Sequence, residues 1–466
     1  MKQTIFLLLF FFNGFVCHAH TLFSVPDTLK DNVAFWKKIY TSYDSHQVVF
    51  FDQEDPTIIY AVLDLPKVPG EISSPKYRPK VKAKFKEIEK CLKTIHKGSK
   101  PERESEEYKY IHQMLTTRNL LDIPDLDKRL RHQSGLKSQF SLGLKLSGRY
   151  IDDMKAILKA QSLPPELVAM VFVESLFFPG AISHVGATGP WGIVKETGLR
   201  NGIFINDLVD ERFDWQKSTI ASASFIKSSM EGLGGDWGVV ITSYNYGYAG
   251  MKRATEALGS KDIAIIIEKH ESPIFKFASK NYYAEFLAAL DVYENEEFYF
   301  PGVVKDKPPA YELVQLQKPV LAIDLFKSQA ITLEDLALLN PSLTKKTLQG
   351  KEALPREFSL RSPEGKAEHF YERIKKIDPK KRLAAEFMIC KKYRANGRES
   401  IAKIASKNGI SASFLAEKLN KPTSYKPKGT VLVRSHAHPF SQLKEIYKVV
   451  LEGRGPTEIA VETLKP

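Results

Sequence analysis

Cysteine is scarce in this chain: 3 residues in 466, at Cys17, Cys91 and Cys390. So few thiols so far apart exclude a disulfide-stapled scaffold and cysteine-rich zinc sites. Pairing of Cys91 with Cys390 and two separate buried thiols both stay open. The 11 histidines, His184 and His270 among them, show no ligand spacing, so neither a metal nor a cofactor is called for, and His184 reads as a loop residue. Long apolar runs are also missing. The longest, IFLLLFFFNGFVC behind Lys2, is too short for a stable membrane span. With its basic residue in front and Ala19 behind, it has the pattern of a secretory signal peptide over 1–19. Cys17 follows Val16, where a lipid-attachment site wants a small residue, so cleavage after Ala19 is expected and membrane anchoring is not.

What is present is a globular composition with an excess of one charge. Hydrophobic residues make up 43% and charged residues 26%, and 68 Lys and Arg against 55 Asp and Glu leave a net charge of +13. Such a surface prefers polyanions. Nucleic acid is not the expected partner, because the lysines are spread along the chain and no base-reading motif occurs. A chain of this length exceeds one core and implies several domains.

The stretch that organises the sequence is PPELVAMVFVESLFFPGAISHVGATGPWGIVKET, Pro164 to Thr197. The double proline and Glu166 suit a helix start. Leu167 to Val173 are almost wholly apolar, so this helix should be buried. One acid, Glu174, ends the run and is followed by Ser175. A carboxyl at the tip of a buried helix loses hydration, which raises its pKa and keeps it able to donate a proton near neutrality. Gly180, Gly186, Gly189 and Gly192 then permit a tight backbone that folds Ser183 and main-chain groups over the acid.

These residues, taken in order with a later SYNYG, resemble the catalytic core of the lytic murein transglycosylases, enzymes with a goose-type lysozyme-like (SLT) fold. The matching positions are Glu174, Ser175, Pro179, Ala181, Ser183, Gly186, Ala187, Gly189, Tyr244, Asn245 and Gly247. The long form, with an N-terminal extension and C-terminal repeats, is similar to the membrane-bound lytic murein transglycosylase D type. The likeness is close over about 140 to 290. It implies a mainly α protein, one catalytic acid (Glu174), and peptidoglycan glycan strands as the partner, in the periplasm or cell envelope. Ser183 and Tyr244 would hold the substrate acetamido group and orient the acid, Asn245 would hold local backbone, and Tyr282, in ASKNYYAEFLAALDVYEN, stands at the family tyrosine of a helix that closes the groove. Trp191 and Gly192 depart from the family's Trp-Gln pair. On that basis Gly192 should open space beside the acid, and a glutamine restored there should aid turnover or narrow substrate tolerance, unless the glycine sits at positive φ.

The rest of the chain divides as follows. Residues 20–134 read as a mixed, helical extension in which Val81, Phe85, Ile88, Leu92 and Ile95 recur at helical spacing with lysines between them. The catalytic domain is expected over 135–300. Asp210, Glu211 and Asp214, grouped around Arg212, could supply a second carboxylate, but a salt-bridged turn capping the helix from Trp215 is the preferred reading. Residues 310–375 read as a degenerate spacer. Residues 385–436 resemble a LysM module, a small α+β glycan-gripping unit, with Gly397-Arg398-Glu399-Ser400 where relatives carry Gly-Asp-Thr. A helix and tail occupy 437–466. Oligomeric state is not legible.

Overall fold

The computed structural model describes residues 22–434 apart from 68–74, 99–104, 207, 317–319, 327–331, 350–352, 355–357, 378–389, 408–415 and 417–420. The expected signal peptide, Cys17, the expected C-terminal helix and most of the 410–420 segment lie outside the described residues.

The protein is mainly helical, with small sheets, as the sequence implied. Helix α1 (Lys30–Thr41) leads into a hairpin of β1 (Gln47–Asp52) and β2 (Ile59–Asp64). Helices α2 (Arg78–His96), α3 (Glu106–Thr117) and α4 (Leu126–Arg129) follow, and β3 (Leu130–Ser134) returns to pair with β1, so the sheet order is β2-β1-β3. Strand β1 is apolar at every interior position because both its faces are covered. Val48 and Phe50 join the core under α2 and α3, whereas Val49 and Phe51 join the larger core of the protein. Cys91 is a free, buried thiol of α2.

The larger core is built from α5 (Lys137–Ser147), α6 (Ile151–Ala160), α7 (Met170–Glu174), α8 (Lys195–Arg200), α9 (Trp215–Leu233), α10 (Trp237–Tyr246), α11 (Tyr248–Leu258), α12 (Ile263–Lys269) and α13 (Phe277–Glu294), with α14 (Glu296–Tyr299) behind. This core does not respect the boundary expected at 135. Phe23, Phe35, Trp36, Ile39 and Tyr40 are part of it. Trp36 donates its indole N–H to Asn281 on α13 at 3.1 Å, and Asn32 reaches the same oxygen at 3.0 Å. Residues 23–51 are thus largely a wall of the larger helical core, and only α2 to α4 form a separate layer.

Beyond Pro301 a second small unit begins. Strand β4 (Tyr311–Gln315) pairs antiparallel with β7 (Ser359–Pro363), and β5 (Val320–Leu321) pairs with β6 (Ala353–Leu354). Helices α15 (Ala322–Phe326), α16 (Leu333–Leu339) and α17 (Lys345–Leu348) lie between, and α18 (Ala367–Lys376) follows. The unit is fastened to the helical core. Leu208 and Val209 belong to its hydrophobic cluster, Val209 bridges Leu343, and the Asp210 N–H donates to the Ser342 carbonyl at 2.8 Å. At the centre, Arg361 donates to Asp214 Oδ2 at 2.5 Å and to Gln216 Oε1 at 2.7 Å, and lies 4.1 Å over the Trp215 ring. The Arg361 and Asp214 side chains are 4% and 3% exposed. The last described unit pairs β8 (Cys390–Asn396) with β9 (Lys428–Arg434), with helix α19 (Ile401–Lys407) between them.

Asp214 does two jobs at once. It caps α9 by accepting from the Gln216 and Lys217 amides, and it is the counter-ion of Arg361. Burial alone would raise its pKa, but the charges of Arg361 and Lys217 and the backbone donor hold it below the ordinary aspartate value. Removing one partner of a buried pair leaves an uncompensated charge, which costs about 3–5 kcal/mol. Arg361→Met should therefore lower unfolding free energy by about that amount in urea titrations, and Asp214→Asn combined with Arg361→Met should recover much of it. A depressed carboxylate contributes stability above its unfolded pKa and loses it as pH falls through the folded one. Wild-type stability should accordingly decline below the ordinary aspartate range, more steeply than that of the double variant.

Candidate active site

The apolar run before Glu174 is buried as expected, with Leu167 to Phe172 at 0–1% exposure. Its first turn differs from the expected α-helix: Pro165–Ala169 wind as a 3-10 helix, and only Met170–Glu174 are α. The chain then breaks sharply. Leu176 and Phe177 both adopt left-handed backbone, at φ 51° and 58°. Each such residue costs of order 1–3 kcal/mol and persists only where packing over-determines it. Here Phe177 stacks edge-on against Phe172 at 4.7 Å, and Ser175 Oγ donates to the Pro190 carbonyl at 2.7 Å. No glycine announces this break, so it was not legible from the amino-acid string. Its effect is to leave the Glu174 side chain at the end of a rigid, dry helix.

Tyr282 on α13 donates its hydroxyl to Glu174 Oε1 at 2.5 Å. The other oxygen, Oε2, lies against the Cα of Gly192. Burial raises the Glu174 pKa from 4.5 to about 7, with the Tyr282 hydrogen bond opposing the rise. Burial and the neighbouring Glu174 charge push the Tyr282 hydroxyl well above its ordinary value, so it remains a donor.

The loop facing the acid is held from behind. Ser183 folds onto its own loop: its Oγ accepts from the Ala187 amide at 3.0 Å, and its carbonyl accepts from Gly186. A Cβ at Gly189 (φ +80°) would overlap the carbonyl oxygen of Arg212. Arg212 donates to the carbonyls of Gly186 at 3.0 Å and Ile193 at 3.2 Å while Asp210 grips its other edge. Trp191, fully buried, donates to Thr219 Oγ1 at 2.8 Å. Tyr244 donates to the Trp191 carbonyl at 2.8 Å and pairs with Ser222 at 2.8 Å. Its pKa is raised by burial and then by the charge of Glu174. Asn245 accepts from Ser279 Oγ at 2.7 Å, which ties α10 to α13. The structure thus brings Glu174, Gly192, Tyr282, Trp191 and Tyr244 together, sets Ser183 on the exposed side of the loop, and uses Asn245 as an inter-helix tie.

Asp210, Glu211 and Asp214 are engaged elsewhere. Asp210 is bound to Arg212, Glu211 to Lys217, and Asp214 to Arg361. The second carboxyl that senses Glu174 is one the sequence reading did not single out, Glu285. It lies one helical turn beyond Tyr282 on α13. Burial and then the Glu174 charge push its pKa up to about 8, against the opposing charge of Arg131. Its spacing of three from Tyr282 was the available signal. Among the described residues, no group of three His, Cys, Asp or Glu side chains is arranged to hold a metal ion.

Gly192 overturns one expectation. It sits at φ +57°, and the space beside it is filled by the Glu174 carboxyl, with which an added Cβ would collide. The position is therefore a close-approach glycine rather than an opening in the groove. Gly192→Ala and Gly192→Gln should displace the carboxylate and cost about 1–2 kcal/mol of left-handed strain, so that turnover falls steeply while the fold survives. Parallel measurement of rates and thermal melts checks this. A glutamine variant as active as wild type would show that Glu174 works from another rotamer.

Comparison with known proteins places this geometry. Residues 154–267 match the family model described as Transglycosylase SLT domain. Two curated relatives, the membrane-bound lytic murein transglycosylase D of Escherichia coli strain K12 and of E. coli O6:H1, are each 27% identical over 194 residues, which is 41% of this chain. The chain spans 42% of the length of these relatives. Among solved structures, the 70 kDa soluble lytic transglycosylase of E. coli is 13% identical over 49% of this chain and 46% of its own, at a TM-score of 0.29. An inactive mutant of lytic transglycosylase Slt from Pseudomonas aeruginosa is 19% identical over 33% and 25%, at a TM-score of 0.27. Glu174, the glycine-rich loop and Tyr244 all fall inside the matched segment, and the chain thus carries a transglycosylase SLT domain and is a homologue of the lytic murein transglycosylase D proteins.

Proposed function

We propose that the protein cleaves the β-1,4 bond between N-acetylmuramic acid and N-acetylglucosamine in peptidoglycan and leaves a 1,6-anhydromuramic end. The observation that carries this reading is a carboxyl with a pKa near 7, held by Tyr282 and Gly192 inside an SLT domain. Glu174 in its protonated form gives its proton to the glycosidic oxygen as the C1–O bond breaks. The carboxylate left behind then takes the proton of the C6 hydroxyl as that oxygen closes on C1. One group serves both steps, because the first leaves it in the form the second needs. Tyr282 keeps the carboxyl aimed in both states, since its raised pKa keeps the phenol proton in place. Tyr244 and Ser222 support the Trp191 carbonyl beside Gly192. The E. coli relatives are named as membrane-bound murein enzymes, and the apolar N-terminal segment with Ala19 supports export to the periplasm or cell envelope. Among the described residues, no helix is long and apolar enough to cross a membrane.

A hydrolytic lysozyme-like reaction is the second reading, and Glu285 is the carboxyl it would use, because it feels the Glu174 charge; with its pKa pushed up to about 8 it would activate water only at alkaline pH, where it is ionised. Mass spectrometry of muropeptides released from purified sacculi separates the two. Anhydro ends are expected, and their release should fall by about a hundred- to ten-thousand-fold in Glu174→Gln. Reducing ends in place of anhydro ends, lost on Glu285→Gln, would establish the hydrolase instead.

We infer further that the β8–α19–β9 unit is the LysM-like contact to glycan. Its two antiparallel strands with a helix between them match the strand and first-helix part of that pattern. A chain ending at residue 378 should bind sacculi more weakly while cleaving soluble glycan fragments at an unchanged rate. Sedimentation of both forms with sacculi checks this.

A further inference from the structure

Helix α2 carries a charge arrangement that neither its packing nor the proposed chemistry uses. One face of it is consumed by the core: Ile88, Cys91, Leu92 and Ile95 are buried against β1 and α3. On the opposite face stand Arg78, Lys82, Lys86, Lys90, Lys93 and, at its C-cap, Lys97, all exposed. Steps of three and four residues place these six side chains on one stripe. At about 1.5 Å per residue the stripe runs about 28 Å from Arg78 to Lys97. One acid, Glu89, shares it, and Glu89 pairs with Lys93 at 2.8 Å. Glu87 lies off the stripe and pairs with Lys84, which also meets Glu107. Among the described residues, Arg78, Lys82, Lys86, Lys90 and Lys97 make no ion pair. Like charges four apart on a helix repel, so the row opposes folding slightly and contributes nothing to the core.

The chemistry that fits such a row is a polymer with repeated negative charge. A bilayer surface fits less well, because the stripe offers only Pro79, Ala83 and His96 between its charges and no large apolar side chain to enter an acyl layer. Strand β1 separates the stripe from the acid: Val48 and Phe50 face α2, and Val49 and Phe51 face the core that holds Glu174. With layers about 10 Å apart, the stripe stands on the order of 20 Å from the catalytic core, too far to touch the bond being cut.

We propose that this face of α2 is a second contact for peptidoglycan, holding the carboxylates of peptide stems on a strand next to the one in the Glu174 site. The proposal rests on the murein reading of the catalytic site. Two weak contacts on one network act at a raised effective concentration, so the stripe increases residence on the polymer without altering the chemistry.

The test is sedimentation with purified sacculi, using the full chain in a Glu174→Gln background so that the polymer stays intact. Lys82→Glu, Lys86→Glu and Lys90→Glu together should weaken binding at least ten-fold at low salt and remove most of its salt dependence. Lys-to-Ala changes at the same sites should give an intermediate loss, with melts unchanged because the side chains are exposed. Amidation of the sacculus carboxylates should bring the unsubstituted protein down to the level of the triple variant. Unchanged binding by the charge-reversed protein, or undiminished binding to amidated sacculi, would overturn the proposal. So would a loss confined to anionic phosphatidylglycerol vesicles, which would make a lipid surface the partner. None of these readouts needs bond cleavage, so a failure of the lytic reading, seen in the muropeptides, is a separate result.

Discussion

The structure is organised around the desolvation of one carboxyl group. Glu174 needs a dry, rigid support on one side and an open approach on the other, and each large feature of the fold supplies part of this. The 3-10 and α turns from Pro165 to Glu174 bury Leu167 to Phe172, the apolar run that leads up to the acid. The left-handed pair Leu176 and Phe177 stops the helix before it can carry the acid into the interior. Helix α13 brings Tyr282 to one oxygen, and the glycine loop brings the Cα of Gly192 to the other. Since one pKa unit corresponds to about 1.4 kcal/mol between protonation states, a rise from 4.5 to about 7 asks the fold to favour the neutral acid by a few kcal/mol, less whatever solvent still reaches the group.

The loop opposite the acid is supported from outside the catalytic domain as well as from within. Arg212 holds the carbonyls of Gly186 and Ile193, Asp210 holds Arg212, and the Asp210 amide donates to Ser342 of the following unit. The same unit places Arg361 on Asp214 and Gln216, at the start of the helix whose Thr219 accepts from Trp191. Residues 311–376 are therefore bracing for the catalytic loop, a stronger role than the spacer that the sequence suggested. Residues 23–51 brace the opposite side through Asn281.

Local signals carried much of this in the sequence. The apolar run ending in Glu174 and the glycines after it were legible, because burial and tight turns leave marks in composition; the tyrosine of ASKNYYAEF stood out only through the family resemblance. The turn at Asp210 to Asp214 was legible as a salt-bridged cap. What could not be read were effects of side chains distant in sequence. Arg361 acquires its meaning only when it meets Asp214, 147 positions away. Gly192 looked like a missing glutamine, because nothing in a linear string shows that Glu174 occupies the space beside it. Glu285 was not singled out, because nothing local shows that α13 turns it towards Glu174, and the positive φ of Leu176 and Phe177 had no glycine to mark it.

The central claim is that Glu174 stays neutral from its ordinary value of 4.5 up to about pH 7, where an exposed glutamate is already charged. Difference infrared spectroscopy between wild type and Glu174→Gln, followed through a pH titration of the carboxyl band, measures this without any substrate. The account predicts a midpoint near 7, with a second, weaker step about one unit higher from the coupled Glu285. A single midpoint close to 4.5 would contradict it, because the site would then hold a charged carboxylate and the fold around it would have no proton to deliver.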